Sequence, residues 1–236
     1  MSYSLGYCEQ RPGHLPEIED IMTSGNAPSK QALSETTTHA IEAVRSELVE
    51  VALDIHAHPE LNYQEEHAAR LLSGTLEKHG FQVERGVGGV ETAFTATLSG
   101  GAGDGPTVAV LAEYDALPDI GHGCGHNLIA MAAIGAGLGL KANLDKLPGK
   151  VMVIGTPAEE GGGGKIRMLD GGVFKGVNAV LSSHPSSNRT VIPTEIPMDE
   201  SWSLAMVGFR YIFHGKAAHA AAMPHEGINA LNGVIH

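Results

Sequence analysis

The sequence predicts an α/β fold, a central, mostly parallel sheet flanked by helices, and three features predict it. Residues 108–112, 151–154 and 179–182 form short, nearly continuous apolar runs, the pattern of buried strands. Segments with apolar residues at helical spacing lie before and between them. Strands that alternate with helices build a layered α/β sheet rather than a bundle or a sandwich.

Taken in order, residues 1–37 mix Pro, Gly, Ser, Thr and Glu without apolar periodicity and are expected to form a mobile extension. From about Thr38, Ile41, Val44, Leu48, Val51, Ala52 and Ile55 recur at helical spacing until Pro59 stops the run. A second helix is expected over 65–78, with Ala68, Leu71, Leu72 and Leu76 on one face and Gly80 as its cap. Residues 81–85 start a strand, and 92–98 alternate as a half-buried one. The run 108–112 is a central strand, 127–140 a buried helix, 151–154 another buried strand, 165–169 a short helix and 179–182 a third buried strand. Residues 203–213 alternate as a longer strand, and 228–235 open a helix with no stop signal, which reads as a chain cut short.

Composition narrows the function. The 236 residues carry 15 Lys and Arg against 27 Asp and Glu, a net charge of −12, so no nucleic-acid partner is expected. Hydrophobic residues at 42% and charged residues at 18% describe a folded chain, long enough for one large domain or one domain and part of another. Cys8 and Cys124 are far apart and build no disulfide framework, which suits a reducing compartment. The N-terminus has no secretory pattern, so a cytoplasmic location is expected. The longest apolar stretch, 128–140, is too short for a membrane span of about 18 residues.

Chemistry-bearing residues gather after the apolar strands, the edge where open α/β sheets bind ligands. Glu113 and Asp115 follow the first, Glu159 and Glu160 the second, and His184 the third. The loop Gly121-His122-Gly123-Cys124-Gly125-His126-Asn127 adds a thiol and an imidazole, and its glycines allow the sharp turn that lets both face one point. Thiolate, imidazole and carboxylate together suit a borderline divalent ion such as zinc, and a site that includes a carboxylate is more often catalytic than structural. An isolated Cys-x-His is more often a buried cysteine beside a hydrogen-bonded histidine; Glu160 and His184 at matching strand ends shift the balance to a metal. A Cys–His nucleophile is disfavoured because residues two apart in such a turn seldom reach each other.

Glu159 and Glu160 are neighbours, so on a strand end one would face the metal and the other the substrate, where it could move a proton; a solvated acidic turn is the other use of such a pair. The run Gly161–Gly164 with Lys165 is not a phosphate loop, because Ile166 stands where Ser or Thr would bind magnesium. His225-Glu226 is not a zincin pair, since Asn229 replaces the second histidine. His56 and His58 lie before Pro59 and read as capping or surface residues. His214 and His219 flank a loop, either solvated or in contact with substrate.

Four segments in order, AEYDALPDIGHGCGHNLIA, GTPAEEGGGGK, His184-Pro185 and FHGKAAHAA, resemble the metal-dependent amidohydrolase and dipeptidase branch of the aminoacylase–carboxypeptidase metallopeptidases, the peptidase twenty family. The wording of AEYDALP and GHGCGHN leans toward its aminobenzoyl-glutamate hydrolase-like and dipeptidase-like members. The likeness runs from about His39 to the end, leaving the first 37 residues outside it. It implies two divalent metal ions, zinc or manganese first and cobalt or nickel next, with Cys124 as bridge and His126, Glu160 and His184 as ligands. It implies Glu159 as general base, Asp115 as the residue that orients a ligand, and His219 as a substrate contact. By the same likeness, 38–199 would be the N-terminal part of a catalytic domain and 200–236 the start of a smaller α+β lid through which two copies pair. The substrate would be a dipeptide or an N-acyl or aminoacyl amino acid, cleaved at its amide. Family members continue further, to a last histidine ligand for which His236 has no argument. The 236-residue chain could then be an inactive metal-binding or dimerising fragment.

Overall fold

The computed structural model describes residues 28–186 and 209–235. The chain divides into two units, Met1–Asn188 and Arg189–His236.

The first unit opens with helix α1, Lys30–Ala43, whose Ser29 hydroxyl accepts the Ala32 N–H at 3.2 Å. This start lies inside the stretch expected to be an extension; the reason for the difference is that α1 fully buries no residue, so its first turns carry little apolar signal. The helix expected to run on to Pro59 breaks at Val44, with φ −108° and ψ 10°, and continues as α2, Arg45–Ala57, which buries Leu48, Val51, Ala52 and Ile55. Helix α3, Glu66–Lys78, buries Ala68, Leu72 and Leu76. It ends at Gly80, φ +88°, where Gly80 N–H donates to Glu77 O and Phe81 N–H to Leu76 O.

Five strands make one sheet: β1 Gln82–Arg85, β2 Phe94–Ser99, β3 Thr107–Ala112, β4 Lys150–Gly155 and β5 Ala179–Leu181, in the order β1-β2-β4-β3-β5. Strand β2 runs antiparallel to β1 and β4, while β3 runs parallel to β4 and β5, so β2 alone opposes the rest. Register sets which face each residue serves. Val110 and Ala112 of β3 and Val153 of β4 face the core of α2, α3 and helix α4, His126–Lys141. Ala109, Leu111 and Ile154 face the other side, against Met168 of helix α5, Gly164–Asp170. The expected third buried strand is instead an exposed edge, with Val180 46% and Leu181 56% accessible. It pairs with β3 alone, and its side chains are largely uncovered among the described residues.

In the second unit, Lys216 and Ile228 form an antiparallel bridge and helix α6 spans Ala230–Ile235, within the helix expected over 228–235. Of the strand expected over 203–213, residues 209–213 adopt no strand and 203–208 lie outside the described residues, as do 1–27 and His236.

Candidate metal centre

Beyond β3 the chain runs through Glu113, Tyr114 and Asp115, all buried. Side chains two apart on an extended segment point the same way, which groups Glu113 with Asp115. Tyr114 is fully buried and donates to Thr92 O at 2.6 Å, fixing the segment. The next loop turns at Gly121, φ +70°, and Gly125, φ +78°, and delivers His126 as the first residue of α4. A β-carbon at Gly125 would meet Pro185 at 2.8 Å, so this loop lies tight against the chain after β5.

The buried His126 ring is held by Asp115, whose Oδ1 lies 2.9 Å from Nδ1. Asp115 also accepts Glu160 N–H at 2.8 Å and is pulled below the ordinary carboxylate value: burial acts against its charge, but the bonds from His126 and from the Glu160 backbone outweigh it. An ionised Asp115 requires the proton on Nδ1, which turns the Nε2 lone pair outward. That Nε2 is buried and makes no hydrogen bond. Around it stand Glu113 at 3.5 Å, Glu160 at 3.7 Å and Glu159 at 3.9 Å. A buried lone pair facing three carboxylates is costly unless a cation lies between them. Oxygen, nitrogen and sulfur donors of this kind are a zinc-class set, so the residues fit divalent metal.

Glu159 and Glu160 do not sit on a strand, as the alternation argument required; they lie in a turn after β4, beyond Ala158 at φ +57°. Both carboxylates therefore turn toward His126 instead of parting. The loop between α2 and α3 holds that turn. Asn62 donates to Glu160 O, and Tyr63 O–H to Gly162 O. The buried Glu65 carboxylate accepts Ala158 N–H and Thr92 O–H at 2.9 Å each, and Tyr63 N–H at 3.0 Å. Burial raises the Glu65 pKa despite these bonds.

Electrostatics couple the rest. The bond from Cys124 to Glu160, then burial and nearby carboxylates, push its thiol up to about 11. For His126, burial opposes the proton, yet Asp115, Glu113 and Glu160 raise its pKa above 6.5. Lys165, in the first turn of α5, pairs with Glu113 at 2.6 Å and neutralises one carboxylate. His184 meets His126 edge-on, ring centroids 6.1 Å apart.

Glu113, His126 and Glu159 bring ligating atoms within 4.8 Å of one another, with Asp115, Glu160 and Cys124 beside them, whereas His184 is exposed and its Nδ1 lies 2.8 Å from Pro185 O. His219 belongs to the second unit, where its Nδ1 accepts the N–H groups of Ala221 at 3.3 Å and Ala222 at 3.1 Å. Sequence reasoning placed Glu113 at the strand end but gave it no role, and it missed Lys165 and Glu65. Two-residue spacing to Asp115 was a signal for Glu113; a glutamate buried by distant contacts leaves none.

Comparison with known proteins identifies the family. The model of peptidase family M20/M25/M40 matches residues 109–230, which include every one of these groups except Asn62, Tyr63, Glu65 and Thr92. Xaa-Arg dipeptidase of Mus musculus is 38% identical over 90% of this chain and 50% of its own length. One of the polypeptides of p-aminobenzoyl-glutamate hydrolase from Escherichia coli (strain K12) is 38% identical over 83% of this chain and 42% of its own. The chain therefore spans about half the length of these curated relatives. A Bacillus subtilis protein described as a dinuclear metal binding peptidase from M20 family superposes with a TM-score of 0.57 and 29% identity, covering 62% of this chain and 44% of that one. With more than half of the chain matched by the family's model and the fold in agreement, the chain belongs to peptidase family M20/M25/M40.

Proposed function

We propose that this chain carries the metal centre of a hydrolase that cleaves the amide of a dipeptide or an N-acyl or aminoacyl amino acid. The observation that carries the proposal is the buried, unpartnered His126 Nε2 set among Glu113, Glu159 and Glu160, with Asp115 behind the ring. Cys124, His126, Glu160 and His184 would hold two divalent ions, with zinc or manganese the best suited. When bound, the ions supply Lewis-acid polarisation of the carbonyl and of water.

The protein's own groups do the rest. Asp115 keeps the proton on His126 Nδ1, so that Nε2 presents its lone pair. Glu159 is the most exposed of the three carboxylates, at 41% of its side chain against 26% for Glu160 and 8% for Glu113, and so is best placed to meet a substrate. It takes a proton from the attacking water and delivers it to the amide nitrogen, which leaves as an amine. Lys165 pairs with Glu113 and lowers the negative charge that an incoming substrate carboxylate would meet. We further assign His219 to substrate contact, the residues from 200 onward to a lid through which two copies pair, and the protein to the cytoplasm.

Glu159→Gln should lower amide turnover by about 10² to 10⁴ with metal content unchanged, assayed on dipeptides and N-acyl amino acids. Parental turnover in a metal-loaded Glu159→Gln variant would overturn the assignment. A second reading is that this chain binds metal without turning over. Robust hydrolysis by the 236-residue chain alone would remove that reading.

A further inference from the structure

A second group of ligating side chains stands apart from the centre and shares no residue with it. Asp54 and His58 lie one turn apart at the C-terminal end of α2, which puts them on one face. His67 comes from the first turn of α3. Its Nε2 hydrogen-bonds Asp54 Oδ1, and His58 Nδ1 lies 3.3 Å from the same oxygen and 2.9 Å from the Asp54 carbonyl. The two imidazoles are 4.7 Å apart, tilted by 48°. One ligating atom from each of the three residues lies within 4.8 Å of the others.

We propose that Asp54, His58 and His67 form a separate three-ligand site for a zinc-class divalent cation, with water completing the shell. Ligands on a tetrahedral zinc ion stand roughly 3.3 Å apart, so the trio needs only small side-chain rotations to close on one. Two imidazoles and a carboxylate are a zinc-type set without the thiolate that a purely structural site favours. Side-chain exposures of 42% for Asp54, 58% for His58 and 36% for His67 leave the site open to an entering ion and its waters. Among the described residues no Lys or Arg pairs with Asp54, so its charge is met by imidazoles alone. On binding, the nitrogen of each ring that faces the ion gives it a lone pair, and the ring proton sits on the other nitrogen.

The place of the site gives it a consequence. It joins the end of α2 to the start of α3, the two ends of the loop that carries Asn62, Tyr63 and Glu65. Those residues hold the turn of Glu159 and Glu160. A cation on the trio would brace that loop from its mouth, whether or not the chain hydrolyses an amide.

Zinc titration of the Cys124→Ala/His126→Ala chain tests the proposal with the thiol and the buried imidazole of the other centre removed. Bound zinc is measured by elemental analysis after buffer exchange, and imidazole resonances by NMR. We expect one zinc per chain at micromolar concentration, shifts at His58 and His67, and loss of that zinc in the added His58→Ala/His67→Ala pair. Asp54→Asn should weaken the same step at least tenfold, while His39→Ala should leave it unchanged. Unmoved His58 and His67 resonances, equal zinc in chains with and without the pair, or binding at millimolar zinc only would each overturn the site. The NMR arm alters no residue of the trio, so it stands even where the added His58→Ala/His67→Ala pair fails to fold.

Discussion

At His126 a single ring is fixed by Asp115 on one side and left open on the other, and both groups titrate accordingly. In the metal-free chain the His126 pKa is raised above 6.5, so its contribution to stability is full below that value and lost as pH rises through the folded pKa. The Asp115 pKa is lowered from 3.8, so its contribution is full above that value and lost as pH falls through the folded pKa. Stability from the pair is therefore greatest between 3.8 and 6.5. Urea unfolding of metal-free Asp115→Asn should show a loss of roughly 1–3 kcal/mol in that window and a flatter pH profile; an unchanged profile would refute the coupling. Cys124, with its thiol near 11, should alkylate slowly with iodoacetamide at pH 8, and metal uptake at neutral pH should release its proton. Site-resolved mass spectrometry reads the first, and calorimetry in buffers of different ionisation enthalpy reads the second. The thiol and the imidazole were legible in the sequence because glycines flank them, but the lysine and glutamate around them were not. Lys165 reaches Glu113 across 52 positions and Glu65 reaches Ala158 across 93, and no local pattern encodes such pairs.

At the scale of elements, α4 carries the centre's histidine at its start and glycines along its length. Gly137 lets the helix settle on the sheet, since a β-carbon there would come within 2.7 Å of Val153. Gly74 of α3, in contrast, has nothing within 4 Å of that position. Glycine in a helix interior costs about 1 kcal/mol against alanine, so the same substitution should have opposite signs at the two sites. Gly74→Ala should stabilise by roughly 0.5–1 kcal/mol, while Gly137→Ala should destabilise by about 1–3 kcal/mol through overpacking. Thermal and urea unfolding measure both; stabilisation by Gly137→Ala would show that the helix can shift off β4. The helices at 65–78 and 127–140 were legible from their apolar stripes. The break at Val44 was not, because the apolar stripe runs straight across it.

For the whole unit, the proposed ligands come from the segments after β3, β4 and β5 and from the start of α4, parts far apart in sequence that only the sheet brings together. Metal that binds the folded chain alone should stabilise it by about 2.7 kcal/mol at a hundred times its Kd. A chelator should therefore lower the unfolding midpoint of metal-loaded protein, and Cys124→Ala should reduce that shift to the part that Asp54, His58 and His67 supply. A midpoint indifferent to both would mean that these groups do not bind metal in the folded state.

The sequence by itself determined the α/β class and the strand ends that bear polar groups, and it singled out a thiol, an imidazole and carboxylates as a candidate centre. These follow from periodicity and from residue chemistry, which act over a few positions. Tertiary structure alone decided that β2 opposes the other strands, that β5 is an exposed edge, and that Glu159 and Glu160 turn the same way. It also decided that Glu65 and Lys165 support the centre and that Asp54, His58 and His67 meet. Each of these depends on contacts between segments many residues apart, where burial and pairing rather than local preference set the outcome.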